Sequence, residues 1–246
     1  MSTLFGQEMS GGGESKPTNP TIVDDFMYSS NVASSHVYIR MGFLRKVYGI
    51  LSAQILLTTI VSIIFMSSEP VANFVKESQW LIMASVFMSF GLLIALMVKK
   101  KDVPANYILL GSFTLVESIM VGVVVTFYTV PSVIQAFTLT CAVTVALTFY
   151  TFQSKRDFSS WGASLFSCLW ILIIAGFMQF FLQSEIFDLA IAVCGAAVFC
   201  VFIIFDTHMI MHRVSPEDYI EAAIDLYLDI LNLFLYILRI LGERKN

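Results

Sequence analysis

Residues 186–211 read IFDLAIAVCGAAVFCVFIIFDTHMIM, and this run decides the fold class. It exceeds the roughly 20 apolar residues that carry a helix across a bilayer core. No two-residue alternation runs through it, which favours a helix over a barrel strand. Five runs of similar character precede it, at about 47–66, 79–98, 107–128, 131–152 and 161–182. Their connections are short. Tyr128-Thr129-Val130-Pro131 and Gln183-Ser184-Glu185 leave room only for tight turns, which makes neighbouring helices antiparallel.

Composition agrees. Of 246 residues, 57% are apolar and 13% are charged, where a soluble domain carries roughly 25% charged. A soluble chain of this size could not hide that much apolar surface, and mean hydropathy is +0.81. The net charge of −4 and the absence of a basic patch give no sign of nucleic acid as a partner. Cys141, Cys168, Cys194 and Cys200 lie inside apolar runs. They read as small packing residues rather than a disulfide framework. Residues 1–38 are polar and rich in Gly, Ser, Thr and Pro, and read as a disordered tail. Residues 39–246 form the helical membrane domain.

Lys and Arg set the orientation. Arg40, Arg45, Lys46, Lys99, Lys100, Lys101, Lys155, Arg156 and Arg213 fall on one side of the spans, and Lys76 on the other. The N-terminus is therefore expected in the cytosol.

The stretch that follows, 217–241, is EDYIEAAIDLYLDILNLFLYILRIL. Asp218, Glu221, Asp225, Asp229 and Asn232 succeed one another at steps of 3, 4, 4 and 3, which places them on one helix face. Arg239, one heptad on, extends the stripe. Leu, Ile, Phe and Tyr make up the rest. Such a helix either packs within the bundle or lies in the interface with its acids in water. Acids standing within Leu226–Leu238, and the scarcity of cations, favour burial. Positive charge at Arg244 and Lys245 argues against a full crossing, so a re-entrant path and a complete one both stay open.

Ionisable groups inside spans cost at least about 2.5–3.5 kcal/mol each near a helix centre and so mark function. Glu117 lies midway along the third run, where it could simply bond to a neighbouring helix. Asp206 lies in the cytosolic half of the sixth. Counted outward from the turn at 214–216, Asp206 is level with Asp225, and Asp229 is one turn deeper. Facing carboxylates at that depth cannot both be ionised cheaply, so they would share a proton or a cation. His208 and His212, four apart, share a helix face, but no third ligand accompanies them.

Two motifs resemble a known family. Leu226-Tyr227-Leu228-Asp229-Ile230-Leu231-Asn232-Leu233-Phe234, and Phe205-Asp206-Thr207 before it, are similar to the C-terminal signature of the transmembrane BAX inhibitor motif family. Val37–Tyr48, Thr126-Phe127-Tyr128, 153–158 and 215–219 resemble its Golgi anti-apoptotic, or lifeguard, branch. His208 stands where many members carry another polar residue. The resemblance implies an all-α membrane protein with six transmembrane helices around a central, acidic seventh. It also implies a pH-sensitive calcium leak from intracellular stores, gated by an aspartate pair that falls on Asp206 and Asp229. Asp225, Glu117 and Asn232 are accessory candidates. The family's dampening of apoptosis implies residence in Golgi or endoplasmic reticulum membranes. No cofactor or enzymatic activity is expected. Calcium and protons, the bilayer, and apoptosis or calcium-channel proteins are the expected partners. A non-conducting scaffold for those proteins is the alternative function.

Overall fold

The computed structural model describes residues 37–77 and 80–243. The polar tail expected over 1–38 lies almost wholly outside them. Among the described residues the chain is all helix apart from short connections and one bridge residue. The elements are α1 (Val37–Ser67), α2 (Glu69–Glu77), α3 (Trp80–Lys99), α4 (Ala105–Thr126), α5 (Val130–Gln153), α6 (Gly162–Leu182), α7 (Glu185–His212) and α8 (Tyr219–Leu241). A 3₁₀ turn at Ser159–Trp161 leads into α6. Helices α1, α4, α5, α6 and α7 are long and apolar enough to cross a membrane by length and composition. The sixth expected span, α3, contributes a shorter apolar helix, Met83–Lys99.

Local chemistry places the turns. Pro131 sits in the first turn of α5, where a missing N–H costs nothing. Gln183 ends α6 in the left-handed conformation at φ 47°, and its N–H bonds Gln179 O at 2.9 Å. Ser184 Oγ then accepts from Phe187 N at 3.4 Å and caps α7. The long helices alternate in direction. The ends carrying Lys46, Lys99, Lys155 and Arg213 gather at what is termed here the basic end. Helix α1 begins well before its apolar run at 47. Its extra turns hold Lys46, whose Nζ lies 3.4 Å above the Tyr219 ring at the start of α8.

Apolar surface faces outward to a degree no soluble monomer shows. Phe177, Phe180 and Phe181 on α6 are each at least two-thirds exposed. Two cysteines depart from expectation in the same way. Cys141 and Cys194 are exposed on outward faces, while Cys168 and Cys200 are half-buried. In lipid an outward cysteine is as apolar as its neighbours, so sequence alone does not separate the two positions.

The core gathers on α8. Leu226, Tyr227, Leu233 and Leu238 are buried there, against α1, α4, α5 and α7. Tyr227 OH meets Thr58 Oγ1 of α1 at 2.8 Å, and Thr58 meets Ser118 Oγ of α4 at 3.0 Å. Gln54 Nε2 reaches Thr114 Oγ1 at 3.0 Å one turn away. This ladder satisfies polar groups that would otherwise be buried at a cost of several kcal/mol each in lipid.

Helix α8 runs the full length of α7, antiparallel to it. Tyr219 stands at the basic end. At the far end Arg239 forms a two-point ion pair with Asp188 in the first turn of α7, with Nε to Oδ2 at 2.9 Å. Beyond it, Glu243 O accepts from Thr129 N at 3.0 Å and Glu243 N donates to Ser132 Oγ at 3.1 Å. The helix thus runs the length of the bundle, from the basic end to the α4–α5 turn.

Close approach of α7 and α8 depends on Gly195. A Cβ there would stand 2.5 Å from the Tyr236 ring, which stacks on Phe199 with centroids 5.7 Å apart. Gly195→Ala is expected to cost about 1–3 kcal/mol through overpacking. Unfolding of the detergent-solubilised protein measures the loss, and adding Tyr236→Ala should recover part of it.

Candidate functional site

Two helices that diverge around the 213–218 turn leave a cavity of about 470 Å³ between them, open toward the basic end. Asp206 of α7 and Asp225 of α8 line it, with Arg213, Asp218 and Glu221 nearer its mouth. Asp225 is exposed to this space and Asp206 is half-buried. Asp229 lies behind them at 5% exposure. The Asp206 and Asp229 side chains stand within hydrogen-bond reach of each other, and Asp225 is close enough to both to be felt electrostatically. The second oxygen of Asp229 is buried with no protein partner. Counting from the turn made Asp225 and Asp229 equal choices as the partner of Asp206. The side chain within reach of Asp206 is that of Asp229.

Two carboxylates this close, one of them buried, can hold a proton or a cation between their oxygens. The cavity reaches Asp206, one member of the pair, from the basic end. Among the described residues no three His, Cys, Asp or Glu side chains converge as a metal cage.

The remaining acidic positions fall outside the pair. Glu117 of α4 is buried and accepts a short hydrogen bond from Ser89 of α3, which ties two helices together. Asn232 turns its amide to Leu228 O on its own helix at 2.8 Å. Glu221 and Asp218 both pair with Lys100, and Lys101 Nζ meets Glu217 at 2.9 Å. The outer half of the stripe therefore fastens α8 to the α3–α4 loop. Sequence reading noted few cations within the stripe and missed this clasp, because its lysines stand more than 100 residues away. These lysines are held charged above their usual range, Lys100 chiefly by Glu221 and Lys101 by Glu217.

A second clasp closes the other rim. Arg213 donates to Asp157 Oδ2 at 3.3 Å and to Ser159 Oγ at 3.2 Å. The Ser159 hydroxyl and N–H, and then Arg213, hold the Asp157 carboxyl down at about 2. His208 is buried against Phe158 and stacks on His212 with centroids 4.5 Å apart. His212 Nδ1 lies 3.1 Å from His208 O on its own helix.

The profile of the family described as "Inhibitor of apoptosis-promoting Bax1" matches residues 40–246. The mouse protein lifeguard 4 is 54% identical over 221 residues, 90% of this chain and 93% of its own length. The Golgi anti-apoptotic protein of vaccinia virus (strain Lister) is 53% identical over the same length, with the same coverage. Bax inhibitor 1 of Schizosaccharomyces pombe is 42% identical over 234 residues, 95% of this chain and 88% of that protein. The chain is a multi-pass membrane protein belonging to the BAX inhibitor motif family.

Proposed function

We propose that the protein is a pH-sensitive calcium leak or cation exchanger of Golgi or endoplasmic reticulum membranes, and that it restrains apoptosis by lowering store calcium. The observation that carries this reading is the meeting of Asp206 and Asp229 beneath a cavity open at one end of the bundle. The name of the viral relative supports the apoptotic role and Golgi residence, and the family description supports the apoptotic role. The nine basic residues at the cavity end support a cytosolic N-terminus.

In this mechanism the proton acts as the latch. With one proton shared, the pair is a hydrogen-bonded bridge carrying a single negative charge, and it holds α8 against α7. When that proton leaves, two charges confront each other, and either α8 shifts or a cation settles between them. Calcium takes 6–8 oxygens and favours carboxylates. The pair offers four oxygens, and water in the cavity completes the shell during passage.

The test is calcium entry into liposomes holding the purified full-length chain, with dye trapped inside. Entry well above that of protein-free liposomes is expected, rising with pH as the shared proton is lost. No entry above background at any pH would leave the scaffold reading in its place.

A further inference from the structure

On the far side of α8 from the acids, a groove of about 660 Å³ lies between α1 and α5. Its walls are Ile55–Ser67 of α1 and Val130–Val145 of α5, and Ile230, Leu231 and Phe234 of α8 form its floor. At 3.6 residues per turn, those three stand about 100–200° around α8 from Asp229. The groove is therefore no continuation of the cavity that holds the acids.

We infer that this groove is a binding site for one acyl chain of a bilayer lipid in the leaflet away from the basic end. Three observations select that occupant. The first is depth. The α1 wall from Ile55 to Ser67, twelve rises of 1.5 Å, spans about 18 Å, close to the ~15 Å half-thickness of a hydrocarbon core. The groove starts at the helix ends Ser67 and Val130, so it covers one leaflet. The second is its mouth. Ile63, Ile134 and Val145 are 58%, 60% and 54% exposed along the rim, on two helices that cross the membrane. The third is its lining. Thr58 is engaged by Gln54 O, Ser118 and Tyr227. Thr59 bonds Ile55 O at 2.8 Å and Thr140 bonds Ala136 O at 2.7 Å. These three hydroxyls are spent on the protein; Thr144 Oγ1, buried without a protein partner, is the exception in a lining that otherwise offers chiefly methyl and methylene surface. That surface suits hydrocarbon and disfavours an ion or a polar headgroup.

The size lies within the roughly 300–1,000 Å³ usual for ligand pockets. A seated chain would press on the back of the helix whose front carries Asp229. Any influence on flux rests on the leak reading, but the binding does not.

The probe is a phosphatidylcholine with a diazirine midway along one acyl chain, in liposomes holding the full-length protein. After illumination, adducts are mapped by peptide mass spectrometry. Groove positions in 55–67 and 133–145 should label about tenfold more per residue than the equally lipid-facing α6 positions Ile171, Ile174 and Phe177, as 1.4 kcal/mol of preferential seating gives. Cys141→Trp fills the groove from an exposed position and should bring its labelling to the α6 level, with α6 labelling unchanged. If Cys141→Trp lowers the yield of folded protein, Ile134→Trp at the rim gives the same readout. Labelling of the groove no greater than that of α6, or indifferent to both substitutions, means ordinary annular lipid and overturns the assignment. The readout involves no flux, so it stands or falls apart from the leak.

Discussion

Asp229→Asn should flatten the pH response of calcium flux in liposomes, from about a tenfold rise in the wild-type protein to less than about twofold, tenfold corresponding to 1.4 kcal/mol. Two unit charges about 4 Å apart at an effective dielectric near 20 repel by about 4 kcal/mol. That is more than enough to supply such a response when a shared proton departs. An amide keeps the size and much of the hydrogen bonding of Asp229, but it cannot change charge. Asp206→Asn removes the other half of the pair and should flatten the profile equally. The double variant should add little, because either single change already abolishes the repulsion.

Asp225→Asn is the internal control. Asp225 faces the cavity and stands beside the pair, so its loss should alter the rate more than the slope. The Asp157 clasp is a control of another kind. Its carboxyl, held near 2, contributes stability that is fully present above the ordinary aspartate value of about 3.9 and fades only as pH falls toward 2. Between roughly pH 5 and 8 it stays ionised, so Asp157→Asn should leave the slope of the profile untouched. If Asp206→Asn, Asp229→Asn and Asp225→Asn all keep the wild-type profile, the aspartate pair does not gate.

Much of this arrangement could be read in the chain before any coordinates. The helix bounds fall within about two residues of the apolar runs wherever lipid decides the boundary, as at 131–152 and 186–211. They miss at Val37, because there a polar helix continues past the membrane edge and Lys46 reaches Tyr219. The acidic stripe put Asp225 and Asp229 on one face of the last helix, and in the fold both lie near Asp206 of α7. Spacing alone could not choose between Asp225 and Asp229. Register between two packed helices is set by side-chain interlock, and near a loop it can slip by one turn without changing the pattern. The Thr58–Ser118–Tyr227 ladder left a faint trace, since small hydroxyl residues inside apolar runs often bond across helices. Nothing local in the sequence pointed to the α1–α5 groove. A groove is defined by which two helices do not touch, and that is a property of topology.

Arg239→Gln should lower stability by about 1–3 kcal/mol, between the limits for exposed and buried ion pairs. The guanidinium and Asp188 are each about one-quarter exposed and meet at two points, Nε and a terminal nitrogen against the two carboxylate oxygens. Removing the cation deprives a carboxylate at the membrane-embedded start of α7 of its bidentate partner. Asp188→Asn alone should cost a similar amount, with the charge stranded on Arg239 instead. Asp188→Asn combined with Arg239→Gln should recover a large part of the loss, because no charge is then left without its partner. Unfolding of detergent-solubilised protein gives the energies. The same three proteins also decide the path of the last helix. A re-entrant α8 would turn back before the far end of α7, and Arg239 would never meet Asp188. In that case both single changes would be nearly silent and additive. Strong single losses with recovery in the pair require that α8 cross the whole bundle and carry Gly242 and Glu243 to the side where α4 turns into α5.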